Sequence, residues 1–149
     1  MEKSNSTMAQ QVAFAAAEFQ QQRTGHAPQS VTAVLSGETL VITLQRALSP
    51  AELALAMNPA SAAQVQEFHR QLFVSSAGLL RDEIKRITGV EVRESAAEVQ
   101  SATGTMVQVF LLAHGLPDAT WNAGGDRAAE ACGSMRGTVG ADTERPIQS

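Results

Sequence analysis

The sequence predicts an α+β fold, a four-stranded, mainly antiparallel sheet with helices on one face. Three observations lead to this prediction. Apolar residues recur at helical spacing in two segments, pairs of short β-rich runs alternate their apolar residues, and glycine or proline separates the segments. In chain order the segments give α-β-β-α-α-β-β, and a small sheet backed by helices buries the apolar sides of all of them.

The first helix is predicted over residues 8–23. Its apolar positions recur every three or four residues and are Met8, Val12, Ala15, Ala16 and Phe19. Glutamines occupy the opposite face, so we expect one side of this helix to be buried. Gly25 favours the left-handed conformation that ends a helix, and Pro28 prevents the helix from resuming.

A β-hairpin is predicted next, because two alternating runs flank a short glycine turn. The runs are residues 30–36 and 39–44, and Gly37 lies in the turn between them. In the second run Leu40, Ile42 and Leu44 share one face. Val34 and Val41 then lie on the other face of the sheet.

The segment Leu48-Ser49-Pro50-Ala51-Glu52 has the features of a helix start. Ser49 is a suitable N-cap, Pro50 fits the first helical position, and the Glu52 carboxylate can reach back to the Ser49 amide. A short helix is expected through about Ala56. Pro59 is expected to interrupt it, because the residue before a proline disfavours helix.

A long helix is predicted from Ser61 to Thr88, ended by Gly89. Its apolar stripe consists of Val65, Phe68, Leu72, Leu79, Leu80, Ile84 and Ile87. Two strands follow, over residues 90–94 and 105–112, and residues 95–103 are either an extension of the first strand or a loop. Residues 1–116 are therefore predicted to form the domain. Residues 117–149, rich in glycine and alanine, are expected to be a mostly disordered tail.

The composition excludes several classes of protein. A net charge of −4 and a pI near 5.3 argue against nonspecific nucleic-acid binding, which needs a basic face. The lone cysteine, Cys132, excludes an internal disulfide and suits a reducing cytoplasm. No window approaches the roughly 18 apolar residues of a membrane span. We expect a cytoplasmic protein without direct membrane insertion.

Several motifs follow one another in a defined order: Gly25-His26-Ala27-Pro28, Leu48-Ser49-Pro50-Ala51-Glu52, Arg70 in the long helix, Thr88-Gly89-Val90-Glu91-Val92 and Val109-Phe110-Leu111-Leu112. In this order they resemble the MpsC-like domain family of small bacterial proteins, and the resemblance covers roughly residues 8–114. The chain departs from the family pattern in the first motif, where His26 and Ala27 replace an arginine and a glycine. It also lacks the Asp and His expected between the last two strands, where it has Ser95–Gly104.

The resemblance implies a soluble protein associated with a bacterial Na⁺-dependent, membrane-potential-generating and inorganic-carbon-supplying system. The resemblance implies no particular enzymatic activity. It therefore favours an accessory or regulatory protein over a known catalyst.

The residues themselves predict no catalytic or metal site, and no cofactor is expected. His26, His69 and His114 share no short spacing of the kind that metal ligands show. The paired carboxylates at Asp82 and Glu83 are interleaved with cationic residues, so solvated ion pairs explain them.

Two functions remain open. The first is a non-enzymatic interaction protein, a homodimer that also binds a membrane transport-system protein. Its interface would be the apolar open face of the sheet, predicted to consist of Val34, Val41, Met106 and Phe110. The alternative is a sensor of a small anion, bicarbonate or phosphate, bound near the Gly25–Pro28 turn by Arg23, Gly25, His26 and Arg70.

Overall fold

The computed structural model describes residues 6–123 and confirms the predicted order of elements, with one short helix added at the end. The elements are α1 Met8–Thr24, β1 Ser30–Ser36, β2 Thr39–Gln45, α2 Pro50–Leu55, α3 Pro59–Thr88, β3 Val92–Gln100, β4 Thr105–Leu112 and α4 Asp118–Trp121.

The four strands form one sheet in the order β1-β2-β4-β3. Each neighbouring pair is antiparallel, so the two sequential hairpins, β1–β2 and β3–β4, are united by pairing between β2 and β4. This arrangement confirms the predicted single antiparallel sheet. It leaves β1 and β3 as the two edge strands.

Helices α1 and α3 lie side by side on one face of the sheet, α1 over β1 and α3 over β3. The core between these layers is mostly aliphatic and includes Val12, Ala16, Leu40, Ile42, Leu44, Phe73, Leu80, Ile84, Phe110 and Leu112. The rings of Phe73 and Phe110 meet at a centroid distance of 5.9 Å, which joins α3 to the middle of β4. Burial of these side chains is the main force that holds the layers together.

The predicted helix ends are confirmed at three places. Gly25 and Gly89 end α1 and α3 with φ values of 79° and 77°, a conformation that costs glycine little. Ser49 and Glu52 form the expected reciprocal hydrogen bonds at the start of α2. These signals are local, so they are readable without knowledge of the tertiary structure.

The start of α3 differs from the prediction. Its N-cap is Asn58, whose Oδ1 accepts a hydrogen bond from the Ala60 amide at 2.9 Å. Pro59 occupies the first helical position, where its missing N–H is not needed. Ser61 therefore lies inside the first turn, and Pro59 begins a helix rather than interrupting one.

The buried face of α3 is also shifted from the predicted stripe. Its buried residues are Val65, His69, Phe73, Leu80, Ile84 and Thr88. Phe68 and Leu79 are 52% and 55% exposed. The buried face follows steps of four residues from Val65 and from Leu80. The prediction is wrong at Phe68, which is more apolar than its neighbour His69 but lies outside the buried face.

The segment over residues 95–103 extends the strand, since β3 continues to Gln100 before turning into β4. A β-bulge between Val92 and Glu94 shifts the register near the start of β3. It marks where the edge strand bends.

The packed domain continues past the predicted boundary at residue 116. Helix α4 places Trp121 against the core with 5% of its surface exposed. Burial of this large aromatic side chain attaches α4 to the core. The remainder of the predicted tail, residues 124–149, lies outside the described residues.

Candidate functional site

The sheet face opposite the helices carries an apolar row across all four strands. Val34 pairs with Val41, Val41 with Val109, and Val109 with Ala96. Directly paired residues point to the same side of a sheet, so these four side chains form a continuous row. Val34 is 59% exposed, and no helix of the described chain packs over this side.

Rows of different character flank the apolar row. One consists of Thr32, Thr43, Val107 and Glu98, and the other of Ser36, Thr39, Leu111 and Glu94. The face is therefore neutral on β1 and β2, apolar along β4 and acidic only on β3. We call these rows together the open face.

The predicted interface is wrong for Met106 and Phe110. Both side chains point toward the helices, with 2% and 0% of their surfaces exposed. The register explains their position, because Met106 pairs with Leu44 and Phe110 with Leu40, and both leucines belong to the core. Val34 and Val41, by contrast, lie on the open face.

Sequence reasoning missed Val107, Val109 and Leu111, which β4 contributes to the open face. Both alternating sets of β4 are largely apolar, so hydrophobicity alone does not show which set is buried. Gln108 adds to the ambiguity because it is a polar residue on the core side, 4% exposed. Only the pairing with β2 resolves the two possibilities.

The predicted anion-binding turn uses its own backbone amides internally. The Gly25 amide donates to the Gln21 carbonyl at 2.7 Å, and the His26 amide donates to Thr24 Oγ1 at 3.1 Å. His26 Nε2 also lies 3.1 Å from the Arg46 carbonyl oxygen. These contacts close the end of α1 and tie the turn to the end of β2.

The two arginines predicted for the same anion lie elsewhere. Arg70 forms ion pairs with Glu67 at 2.6 Å and with Glu98 at 3.3 Å. Arg23 is an exposed residue of α1 that lines a small, partly open cavity between α1, α3 and β4. Within residues 6–123 no hydrogen bond or ion pair connects Arg70 with the Gly25–Pro28 turn.

The structure brings together Glu52 and His69, which lie 17 residues apart in the sequence. His69 is 1% exposed and its Nε2 lies 2.7 Å from Glu52 Oε2. The other oxygen, Oε1, accepts the Ser49 amide at 2.9 Å. One signal for this pair was available, because His69 lies four residues from both Val65 and Phe73 and therefore on the buried face.

The environment of Glu52 favours its ionised form. Partial burial acts to raise its pKa, but the hydrogen bond from the Ser49 amide and the interaction with His69 together lower the pKa below its ordinary value of 4.5. Glu52 is consequently a carboxylate at neutral pH, and it accepts a hydrogen bond from Nε2–H of His69.

Residues 6–123 contain no cluster of three or more His, Cys, Asp or Glu side chains that could hold a metal ion. Among the helices of the same region, none has both the length and the apolar character to cross a membrane.

Fold and site together define a small α+β protein with one uncovered apolar sheet face. Residues 4–114 match the family model described as "Na+-translocating membrane potential-generating system (MpsC)". The chain belongs to this MpsC family.

One curated relative is the uncharacterized protein YbcI of Bacillus subtilis (strain 168). It is 24% identical over 116 residues, which cover 78% of this chain and 94% of the relative. No solved structure matches the chain.

Proposed function

We propose that this protein is a non-enzymatic accessory component of a Na⁺-translocating, membrane-potential-generating system and that it works as a reversible homodimer. The observation that carries the proposal is the uncovered row of Val34, Val41, Val109 and Ala96 across the open face. A continuous apolar surface of this kind is typical of a protein–protein contact. Membership of the MpsC family supports the link to the membrane system.

The distribution of charge on the open face favours a second copy of the chain as its occupant. The carboxylates of this face, Glu94 and Glu98, both lie on edge strand β3, where Glu98 also pairs with Arg70 of α3. Edge strand β1 contributes the uncharged polar residues Thr32 and Ser36. In a twofold stack of two open faces, the acidic edge of each copy can cover the neutral edge of the other. Such a stack keeps like charges apart.

The size of the open face favours a reversible dimer. Strands about 4.8 Å apart and about seven residues long, at about 3.3 Å per residue, give a face of roughly 450 Å². Stable interfaces bury about 800 Å² on each partner. A contact limited to the open face is therefore small, and the dimer should dissociate on dilution and remain exchangeable for a partner in the membrane system.

Sedimentation velocity over a range of protein concentrations tests the dimer, with Val34→Asp as the main variant. Val34 is 59% exposed on an edge strand, so the substitution adds a charge to the open face with little effect on the core. Val74→Asp is the matched control, because Val74 is 71% exposed on helix α3. We expect concentration-dependent dimerisation in the wild type and in Val74→Asp, and a monomer in Val34→Asp.

A wild type that stays monomeric at every concentration would refute the dimer. Equal dimerisation of Val34→Asp and the wild type would instead show that the dimer contact lies on another surface. Circular dichroism should give the same spectrum for all three proteins, so that loss of dimer is not loss of fold.

The link to the membrane system is tested in the native cell. In a strain that lacks this protein, we expect the Na⁺-dependent membrane potential to fall and wild-type protein to restore it. Val34→Asp should restore it less than Val74→Asp does. A potential that is unchanged by removal of the protein would contradict the accessory role, whatever the oligomeric state.

A further inference from the structure

A small, partly open cavity lies between α1, α3 and β4, and its lining is both polar and apolar. Its volume is about 20 Å³, and its polar lining includes Gln20, His69 and Gln108. These three side chains are 6%, 1% and 4% exposed. Buried polar groups in an otherwise aliphatic core are costly unless they find hydrogen-bond partners.

Each of the three residues has one buried atom without a hydrogen-bond partner among residues 6–123. The atoms are Gln20 Nε2, His69 Nδ1 and Gln108 Oε1. Native structures leave few such groups unpaired. All three residues line the same cavity, which indicates a common guest.

The hydrogen-bonding character of the three atoms follows from their other contacts. His69 Nε2 lies 2.7 Å from the Glu52 carboxylate and donates to it. In the neutral tautomer that this contact selects, Nδ1 presents a lone pair. The Gln108 amide directs Nε2 toward the Met106 sulfur at 4.0 Å, which leaves Oε1 as an acceptor. Gln20 Nε2 is a donor. The cavity therefore presents two acceptors and one donor.

We propose that the cavity is a binding site for one water molecule, which donates to His69 Nδ1 and Gln108 Oε1 and accepts from Gln20 Nε2. Water is the small species whose two donors and lone pairs match this set. An anion would meet Arg23, which also lines the cavity, but would face two acceptors as well. A cation would face both the Gln20 donor and Arg23. The volume agrees, since one water requires about 10–15 Å³ and makes about three hydrogen bonds when buried.

This water connects parts of the molecule that are otherwise held by apolar packing. It joins α1, α3 and β4 through Gln20, His69 and Gln108. The link continues from His69 to Glu52 and from Glu52 to the Ser49 amide at the start of α2. The site thus ties the orientation of the buried imidazole to both helices and to the sheet.

Magnetic relaxation dispersion of water in the full chain tests the site, since it counts water molecules with long residence times. Gln108→Met keeps the shape of the side chain but removes its acceptor, and Gln20→Met does the same for the donor. Gln100→Met is the control, because Gln100 is exposed at the end of β3. We expect one long-lived water fewer in either core variant than in the wild type or the control.

NMR of the His69 ring nitrogens provides a second measurement on the same proteins. The Nδ1 resonance should shift in Gln108→Met and stay in place in Gln100→Met. Equal numbers of long-lived waters in all four proteins would overturn the proposal. So would a saturable shift of the His69 and Gln20 resonances on titration with sodium chloride, because it would show that an anion occupies the cavity.

Discussion

At the scale of single residues, Glu52 has two structural roles. One carboxylate oxygen accepts the Ser49 amide and caps α2, and the other contacts the buried His69. No residue of α2 is buried, so this carboxylate provides a specific connection between α2 and α3. Loss of its charge should weaken the helix cap and the connection together.

The stability that Glu52 provides should depend on pH. Its folded-state pKa is lowered from 4.5, so its contribution is fully present above the unfolded-state pKa and is lost as the pH falls through the folded-state pKa, below 4.5. Glu52→Gln should cost about 1 kcal/mol at neutral pH. The difference from the wild type should shrink in acid, where wild-type Glu52 also becomes neutral.

Urea unfolding of both proteins at neutral and acidic pH measures this difference. Glu18→Gln is a suitable control, because Glu18 is exposed on α1, away from both Glu52 and the open face. A gap between wild type and Glu52→Gln that does not change with pH would contradict the assigned role of the carboxylate charge.

At the scale of elements, the features that can be predicted from the sequence are the turns, caps and helix ends that depend on neighbouring residues. The turn at Gly37, the cap at Ser49 and the helix ends at Gly25 and Gly89 are all signalled within a few positions. The phase of α3 was not predicted, because a histidine on the buried face carries no hydrophobic signal. His69 is buried because Glu52, distant in sequence, provides a partner, and such a contact becomes visible only in the folded chain.

Two glycines of α3 should respond in opposite ways to substitution by alanine. Gly89 ends the helix with φ 77°, whereas Gly78 lies exposed inside it, and an added Cβ would meet no atom within 4 Å at either position. Gly89→Ala should therefore lose about 1–2 kcal/mol through backbone strain alone. Gly78→Ala should gain about 0.5–1 kcal/mol through helix propensity. Thermal unfolding of both variants measures the signs, and a gain at Gly89 would contradict the left-handed helix end.

Part of the candidate site was predicted, and the alternation of residues along each strand explains which part. The sequence predicts Val34 and Val41 on the open face because they share their alternating set with the serines and threonines of β1 and β2, whereas the other set is aliphatic throughout. Strand β4 is apolar on both faces, so its sequence does not show that Met106 and Phe110 lie on the core side, and the prediction for these two residues is wrong. A strand of this composition is typical where one face packs in the core and the other is available for a partner.

At the scale of the whole molecule, we expect the two faces of the sheet to have different roles, the inner face in stability and the outer face in association. Its inner face packs against α1 and α3, and its outer face carries the apolar row that we propose as the dimer contact. Substitutions on the two faces should therefore change different measurable properties. Since successive residues of a strand point to opposite faces, neighbouring residues of β4 provide the sharpest comparison.

Phe110 and Val109 are adjacent in β4, and truncation of each to alanine should separate the two properties. Phe110 is fully buried against Phe73, so Phe110→Ala should lower the free energy of unfolding by about 3–5 kcal/mol. Val109 lies on the open face, so Val109→Ala should cost under about 1 kcal/mol and weaken dimerisation. Urea unfolding and sedimentation velocity measure the two effects. Similar losses of stability in both variants, or undiminished dimerisation of Val109→Ala, would show that the outer face does not have the role proposed for it.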